Sequence, residues 1–349
     1  MQAGADTESK VHRVWRFLRR PPWRTIIVFA LVLLALLAGY AVWSPGKDIR
    51  DGRHDRGTNG IWLQHGWLAD DAWFTREGKA ARIAHFRDPA HIAELAALLR
   101  QHHIADVYPH LCPAQPDGAL PGVDGEQVER FLDTFDGFRV MPWVGSVADS
   151  EQFPNASWRM TFARDARELL AAHPRLAGIH VNIEPCRSGN PSFLALLDEL
   201  RAAMPEGKLL SVAAYPPPTR CQPIPDVHWD REYYEAVANR ADQLVVMMYD
   251  TGVSHSKIYQ QLMASWTRRA LEWSGDADVL LGLPAYDDEG VGYHRPEVEN
   301  LRTGLLGIHA GLAAFRVIPG NYCGIALYSE WEMDETEWDL LRERFLRRD

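Results

Sequence analysis

The chain of 349 residues is 46% hydrophobic, 24% charged and 10% aromatic, a globular composition that excludes disordered, collagenous and disulfide-scaffold chains. The formal charge of −10 is unevenly spread. Residues 1–24 carry Lys10, Arg13, Arg16, Arg19, Arg20 and Arg24 against Asp6 and Glu8, so the remainder is strongly acidic and suits no nucleic-acid partner.

Thr25 to Trp43 is free of charges and, as a helix, is long enough to cross a bilayer core of about 30 Å. The basic residues ahead of it predict a cytoplasmic N-terminus with everything beyond Trp43 outside. A cleaved signal peptide is the rival reading, but it has a shorter apolar region of about 7 to 15 residues. Residues 44–59 read as a polar linker. Arginine far outnumbers lysine, which points to a GC-rich bacterial genome. The membrane is then the inner membrane, and the exported compartment the periplasm or the cell exterior.

From Gly60 the chain alternates short β-branched or aromatic runs with amphipathic stretches. Strands are predicted over residues 60–67, 104–111, 138–144, 177–184, 208–215, 243–249, 279–286 and 322–328. Helices are predicted over residues 88–101, 125–135, 157–172, 191–204, 231–240, 256–273, 297–315 and 335–347. The strands are hydrophobic almost throughout, as burial on both faces of a parallel sheet requires. Eight βα units indicate an α/β fold, a (β/α)8 TIM barrel over residues 60–349. An open doubly wound sheet is the alternative, but no glycine-rich phosphate loop follows the first strand.

Barrel active sites lie at the C-terminal rim of the strands. Reading strand ends gives Trp67, His110, Trp143, Tyr215, Asp250, Tyr286 and Tyr328 as candidate substrate-binding residues. Rings among acids and amides suit a sugar, which offers an apolar face and hydroxyls. On the fourth strand, alternation puts His180, Asn182 and Glu184 on one face, where burial raises a carboxyl pKa toward the range of a general acid.

The segment Ala177-Gly178-Ile179-His180-Val181-Asn182-Ile183-Glu184 resembles the glycoside hydrolase family 18 signature, Asp-Gly-x-Asp-x-Asp-x-Glu. Met247-Met248-Tyr249-Asp250, then Gly282-Leu283-Pro284-Ala285-Tyr286, are similar to the family's Met-x-Tyr-Asp and Gly-(Leu/Ile)-Pro-x-Tyr segments. Tyr328 stands where a Trp usually floors the sugar subsite. The resemblance covers roughly residues 60–349 and implies a chitinase-like retaining hydrolase in which the substrate's own acetamido oxygen attacks the anomeric carbon. It implies Glu184 as the acid, Asn182 as the group orienting the acetamide and Tyr249 as a donor to it; His180, placed on the same face by alternation, is counted among the substrate-binding residues. The glycan is then one containing N-acetylhexosamine, and neither cofactor nor metal is needed. Ala177, His180 and Asn182 replace three aspartates of the signature.

Two other readings stay open. One is a catalytically inactive barrel that binds a glycan or an envelope protein. The other is a two-carboxylate retaining glycosidase, suggested by Asn182-Ile183-Glu184-Pro185, with Glu330 as a further carboxylate to watch. His65, His110 and His180 lack metal-ligand spacing. Cys186 and Cys221 follow neighbouring strand ends and are the candidate disulfide, with free thiols as the alternative, whereas Cys112 and Cys323 fall at opposite ends of the barrel.

Overall fold

The computed structural model describes residues 23–146, 154–220, 222–287 and 292–348. Two compact units divide at Ser44 and Pro45. In the first unit, Trp23–Val42 is a helix of 20 residues with mean hydropathy 2.7 and no buried side chain. By length and composition it can cross a membrane.

In the second unit, nine parallel strands form one sheet among the described residues. They are β1 (Asn59–Leu63), β2 (Ile104–Pro109), β3 (Arg139–Val140), β4 (Trp143–Ser146), β5 (Gly178–Ile183), β6 (Leu209–Ala214), β7 (Gln243–Val246), β8 (Asp278–Pro284) and β9 (Tyr322–Tyr328). The predicted third strand is split at Met141 and Pro142. Proline has no N–H to give a ladder, so β3 pairs with β2 while β4 pairs with β5. Because β3 and β4 are successive pieces of one stave, the sheet curls round on itself. Helices cover its outside, including Pro89–Gln101, Ala156–Ala172, Pro191–Ala203, Ser256–Trp273 and Leu301–Leu312. The first four match the predicted helices to within one residue at each end, whereas the helix predicted over 297–315 is shortened to Leu301–Leu312. The short helices Asp71–Arg76 and Ile83–Arg87 after β1 were not foreseen.

Two apolar layers follow from strand alternation. Ile61, Leu63, Val107, Ile179, Val181 and Ile183 face the helices, whereas Trp62, Tyr108, Met141, Val245, Leu280 and Ala326 fill the barrel. A polar chain runs through that interior. Trp62 Nε1 donates to His180 Nε2 (3.1 Å), which leaves His180 Nδ1–H to donate to Ser211 Oγ (2.8 Å), and Ser211 donates to Gln243 Oε1 (2.7 Å). Gln243 Nε2 and the Arg139 guanidinium then satisfy the fully buried Asp106. Complete pairing is what makes such a buried network tolerable.

The stretch expected as a linker over 44–59 is held to the barrel from Pro45 onward. Asp55 accepts from Gly57 N, Asn59 Nδ2, His103 Nδ1 and Arg347 N. His54 Nδ1 lies 2.7 Å from His309 Nδ1, and Tyr322 Oη donates to the His54 carbonyl. Its polarity, read as a sign of solvation, supplies these buried bonds instead.

Candidate active site

Five parallel strands bring the site together. Asn182 is near the end of β5 and Glu184 is the first residue past it. Here β4 approaches so closely that a Cβ on Gly145 would stand 2.0 Å from the Asn182 carbonyl oxygen, so only glycine fits. Tyr215 follows β6, Tyr249 and Asp250 follow β7, Tyr286 follows β8 and Tyr328 ends β9.

Glu184, Tyr215, Met247, Tyr249 and Asp250 line one cavity of about 310 Å³. Gln222, Ile224, Val227 and Tyr293 complete its wall from the loops after β6 and β8. Solvent reaches the Glu184 side chain from the cleft, while protein encloses it on the barrel side. This enclosure raises its pKa above the usual 4.5, and the charge of Asp250 adds to the rise; the Asn182 hydrogen bond opposes it. That bond runs from Asn182 Nδ2 to Glu184 Oε2 at 2.9 Å. Asn182 Oδ1 is buried with no hydrogen-bond partner among the described residues.

Rings close the site on the β9 side. Tyr328 stacks on Tyr249 with centroids 5.4 Å apart and 17° between planes, and meets Tyr286, Trp62, Trp143 and Trp331 edge-on. Burial pushes the Tyr249 hydroxyl well above its usual pKa, with Tyr328, Glu184 and Asp250 adding to the shift, so it is a donor at neutral pH. Asp250 has φ +58°, a left-handed conformation uncommon outside glycine. Its Oδ1 accepts from Tyr286 Oη and from His294 Nδ1.

Two of the expected binding residues lie elsewhere. Trp67 is 2% exposed in the outer core, edge-on to Phe86, because β1 stops at Leu63 and the chain turns back over the helices. His180 is fully buried in the barrel interior, one layer below Asn182, where burial lowers its pKa to about 3. His110 packs between His65 and Trp143. Cys186 is a buried free thiol with Sγ 3.7 Å from Tyr233 Oη, and Cys221, its expected partner, lies outside the described residues. Glu330 accepts from Gln64 N and is raised to about 7, mainly by burial. Sequence reading missed His294 and Glu299, which belong to no motif and whose only signal is proximity to Tyr286.

No family profile and no curated protein matches the sequence. Solved structures do. The spore cortex-lytic enzyme SleL of Bacillus cereus superposes with TM-score 0.54 at 12% identity, covering 82% of this chain and 74% of that one. A chitinase from Chromobacterium violaceum gives 0.53 at 16% identity, covering 81% and 98%. A GH5_18 protein from Streptomyces cattleya, in complex with Manβ1-4GlcNAc, gives 0.50 at 14%, covering 83% and 77%. The fold is that of chitinase-like glycoside hydrolase barrels. At these identities the likeness is one of fold, and function has to be argued from the site.

Proposed function

We propose that the protein is a membrane-anchored, exported glycoside hydrolase that cleaves an N-acetylhexosamine-containing glycan with the help of the substrate's acetamido group. The carrying observation is the Asn182–Glu184 pair: a raised carboxyl open to the cleft, one oxygen held by an amide that keeps a buried acceptor to spare. Asn182 Nδ2–H occupies Oε2, so the acid form of Glu184 carries its proton on Oε1, free for the glycosidic oxygen. The acetamido carbonyl oxygen attacks the anomeric carbon as the bond to the leaving oxygen breaks, and Glu184 gives that oxygen its proton. Asn182 holds Glu184 beside the acetamido group, and Tyr249 Oη, which lines the cavity, donates to the acetamido oxygen. Glu184, now ionised, takes a proton from water as it opens the oxazolinium ring. Likeness of fold to a cortex-lytic enzyme and a chitinase supports this class of substrate. Peptidoglycan, chitin-like chains and poly-N-acetylglucosamine all have the required group.

The helix Trp23–Val42 and the basic residues before it support anchoring in the inner membrane, with the barrel outside. A second reading, a barrel that binds without cleaving, is favoured by the amide at 182, which puts no negative charge beside a cationic intermediate. Full-length protein in detergent, assayed on N-acetylglucosamine oligomers and peptidoglycan fragments, separates the two. Cleavage lost in Glu184→Gln supports the hydrolase. Absence of cleavage by the parent and by Asn182→Asp leaves the binding reading.

A further inference from the structure

The geometry points to His294 as a positioning residue: a buried imidazolium that clamps Asp250 to the end of β8 and so fixes the Tyr249–Asp250 wall of the cleft. Its catalytic meaning rests on the hydrolase reading above; the clamp itself does not.

Both ring nitrogens of His294 face acceptors that have no proton to give. Nε2 is 3.1 Å from the Tyr286 carbonyl oxygen, and Nδ1 is 3.1 Å from Asp250 Oδ1, which already accepts from Tyr286 Oη. Only the doubly protonated ring can donate to both. The ring stacks on Tyr286 at 4.1 Å and 20°, and its side chain is wholly buried. Among the described residues, the titratable groups facing it are Asp250 from the loop after β7, Tyr286 from the end of β8 and the fully buried Glu299 ahead of the helix Leu301–Leu312. Glu299 Oε2 lies 4.0 Å from His294 Nδ1, and its carboxylate also accepts from Thr251 N, Thr251 Oγ1 and Gly252 N. One cation is thus shared by two carboxylates that together hold residues 250–252.

Burial alone favours the neutral ring, but the bonds to Asp250 and Tyr286 and the charge of Glu299 outweigh it, so the His294 pKa is raised above 6.5. The neutral alternative leaves one buried acceptor without its donor. The same three residues bring carboxylate and imidazole atoms within 4.8 Å of one another, and the bonds above join them into one unit. Asp250 in turn helps to raise Glu184 and Tyr249. The clamp therefore reaches the reacting groups through Asp250.

The test uses the full chain in detergent micelles with ¹⁵N-labelled histidine, the His294 signals being assigned by their loss in His294→Gln. At pH 7 both ring nitrogens are expected to show protonated shifts, persisting as pH rises past 6.5; a single-proton ring at pH 7 overturns the proposal. Hydrogen exchange gives a second readout. The amides of Thr251 and Gly252 are expected to exchange roughly tenfold faster in His294→Gln, and to lose protection in the parent as the ring deprotonates. If that variant does not fold, the parent's alkaline titration still decides, and unchanged protection across it overturns the clamp. In turnover, His294→Gln is expected to lower kcat with little change in KM, and an unchanged kcat overturns the positioning role. Should Glu184→Gln cleave as well as the parent, the acid role of Glu184 fails, and should the parent not cleave at all, the hydrolase reading fails; in either case the ring shifts and exchange rates still judge the clamp.

Discussion

Asn182 donates to Glu184 Oε2 across 2.9 Å, from one side chain to another two residues on along the same strand edge. An aspartate at 182 cannot make that donation unless it is itself protonated. Replacing Asn182 by Asp therefore puts a second acid against a carboxyl whose pKa is already raised, and the like charge raises it further. The alkaline limb of the kcat/KM profile, set by loss of the Glu184 proton, is expected to move to higher pH in Asn182→Asp, with an unmoved limb telling against Glu184 as the acid. Asn182→Ala removes both the donor and the spare acceptor and is expected to lower kcat by about 10- to 100-fold, the worth of one or two bonds to charged groups.

Removing the Tyr249 hydroxyl tests the other side of the acetamide. Tyr249→Phe keeps the stack on Tyr328 and takes away a single donor, so folding is expected to be unchanged. A loss of about 10- to 100-fold in kcat is expected if that hydroxyl meets charge developing on the acetamido oxygen. Thermal melting beside steady-state kinetics separates a lost donor from lost packing.

Much of this architecture can be read in the chain. Period-two alternation along β5 is enough to place Asn182 and Glu184 together, and the spacing of hydrophobic runs is enough for a barrel. What alternation cannot give is depth. His180 shares the inward face of Asn182 but lies one layer lower, where Trp62 and Ser211 hold it far from the cleft. Trp67 follows β1 in sequence, yet the strand ends four residues sooner than its aromatic run suggests. Met141 and Pro142 read as strand interior until the missing proline donor is set against two neighbouring strands. His294 and Glu299 lie in a loop without periodicity, so only tertiary contact reveals them.

The interior polar chain makes a stability prediction. Arg139 donates to both oxygens of Asp106 (2.5 and 2.7 Å), and Asp106 is inaccessible to solvent. Burial already raises the Asp106 pKa against the pull of Arg139. Arg139→Met leaves that carboxyl with Gln243 alone and is expected to cost about 3–5 kcal/mol. Melting of the parent, the single variant and an Asp106→Asn/Arg139→Met double variant checks this. The double variant is expected to recover part of the loss, because no unpaired buried charge remains.

Acid stability should be set partly by the segment after Pro45. His309 Nε2 lies 3.1 Å from the Arg344 carbonyl oxygen, so Nε2 carries the proton. His309 Nδ1 is then the acceptor, and His54 Nδ1–H donates to it across 2.7 Å. Both rings are neutral, and burial lowers each to about 4. A folded pKa below the unfolded 6.5 means that the unfolded chain takes up protons first as pH falls. The stabilisation is thus complete above 6.5 and is lost progressively as pH falls through about 4. His309→Ala is expected to cost about 1–3 kcal/mol at neutral pH, because the His54 donor is left buried without an acceptor. The variant's melting temperature is also expected to depend less on pH between 6.5 and 4 than the parent's. An equal slope in the two proteins would assign acid sensitivity to other buried rings, His180 first among them.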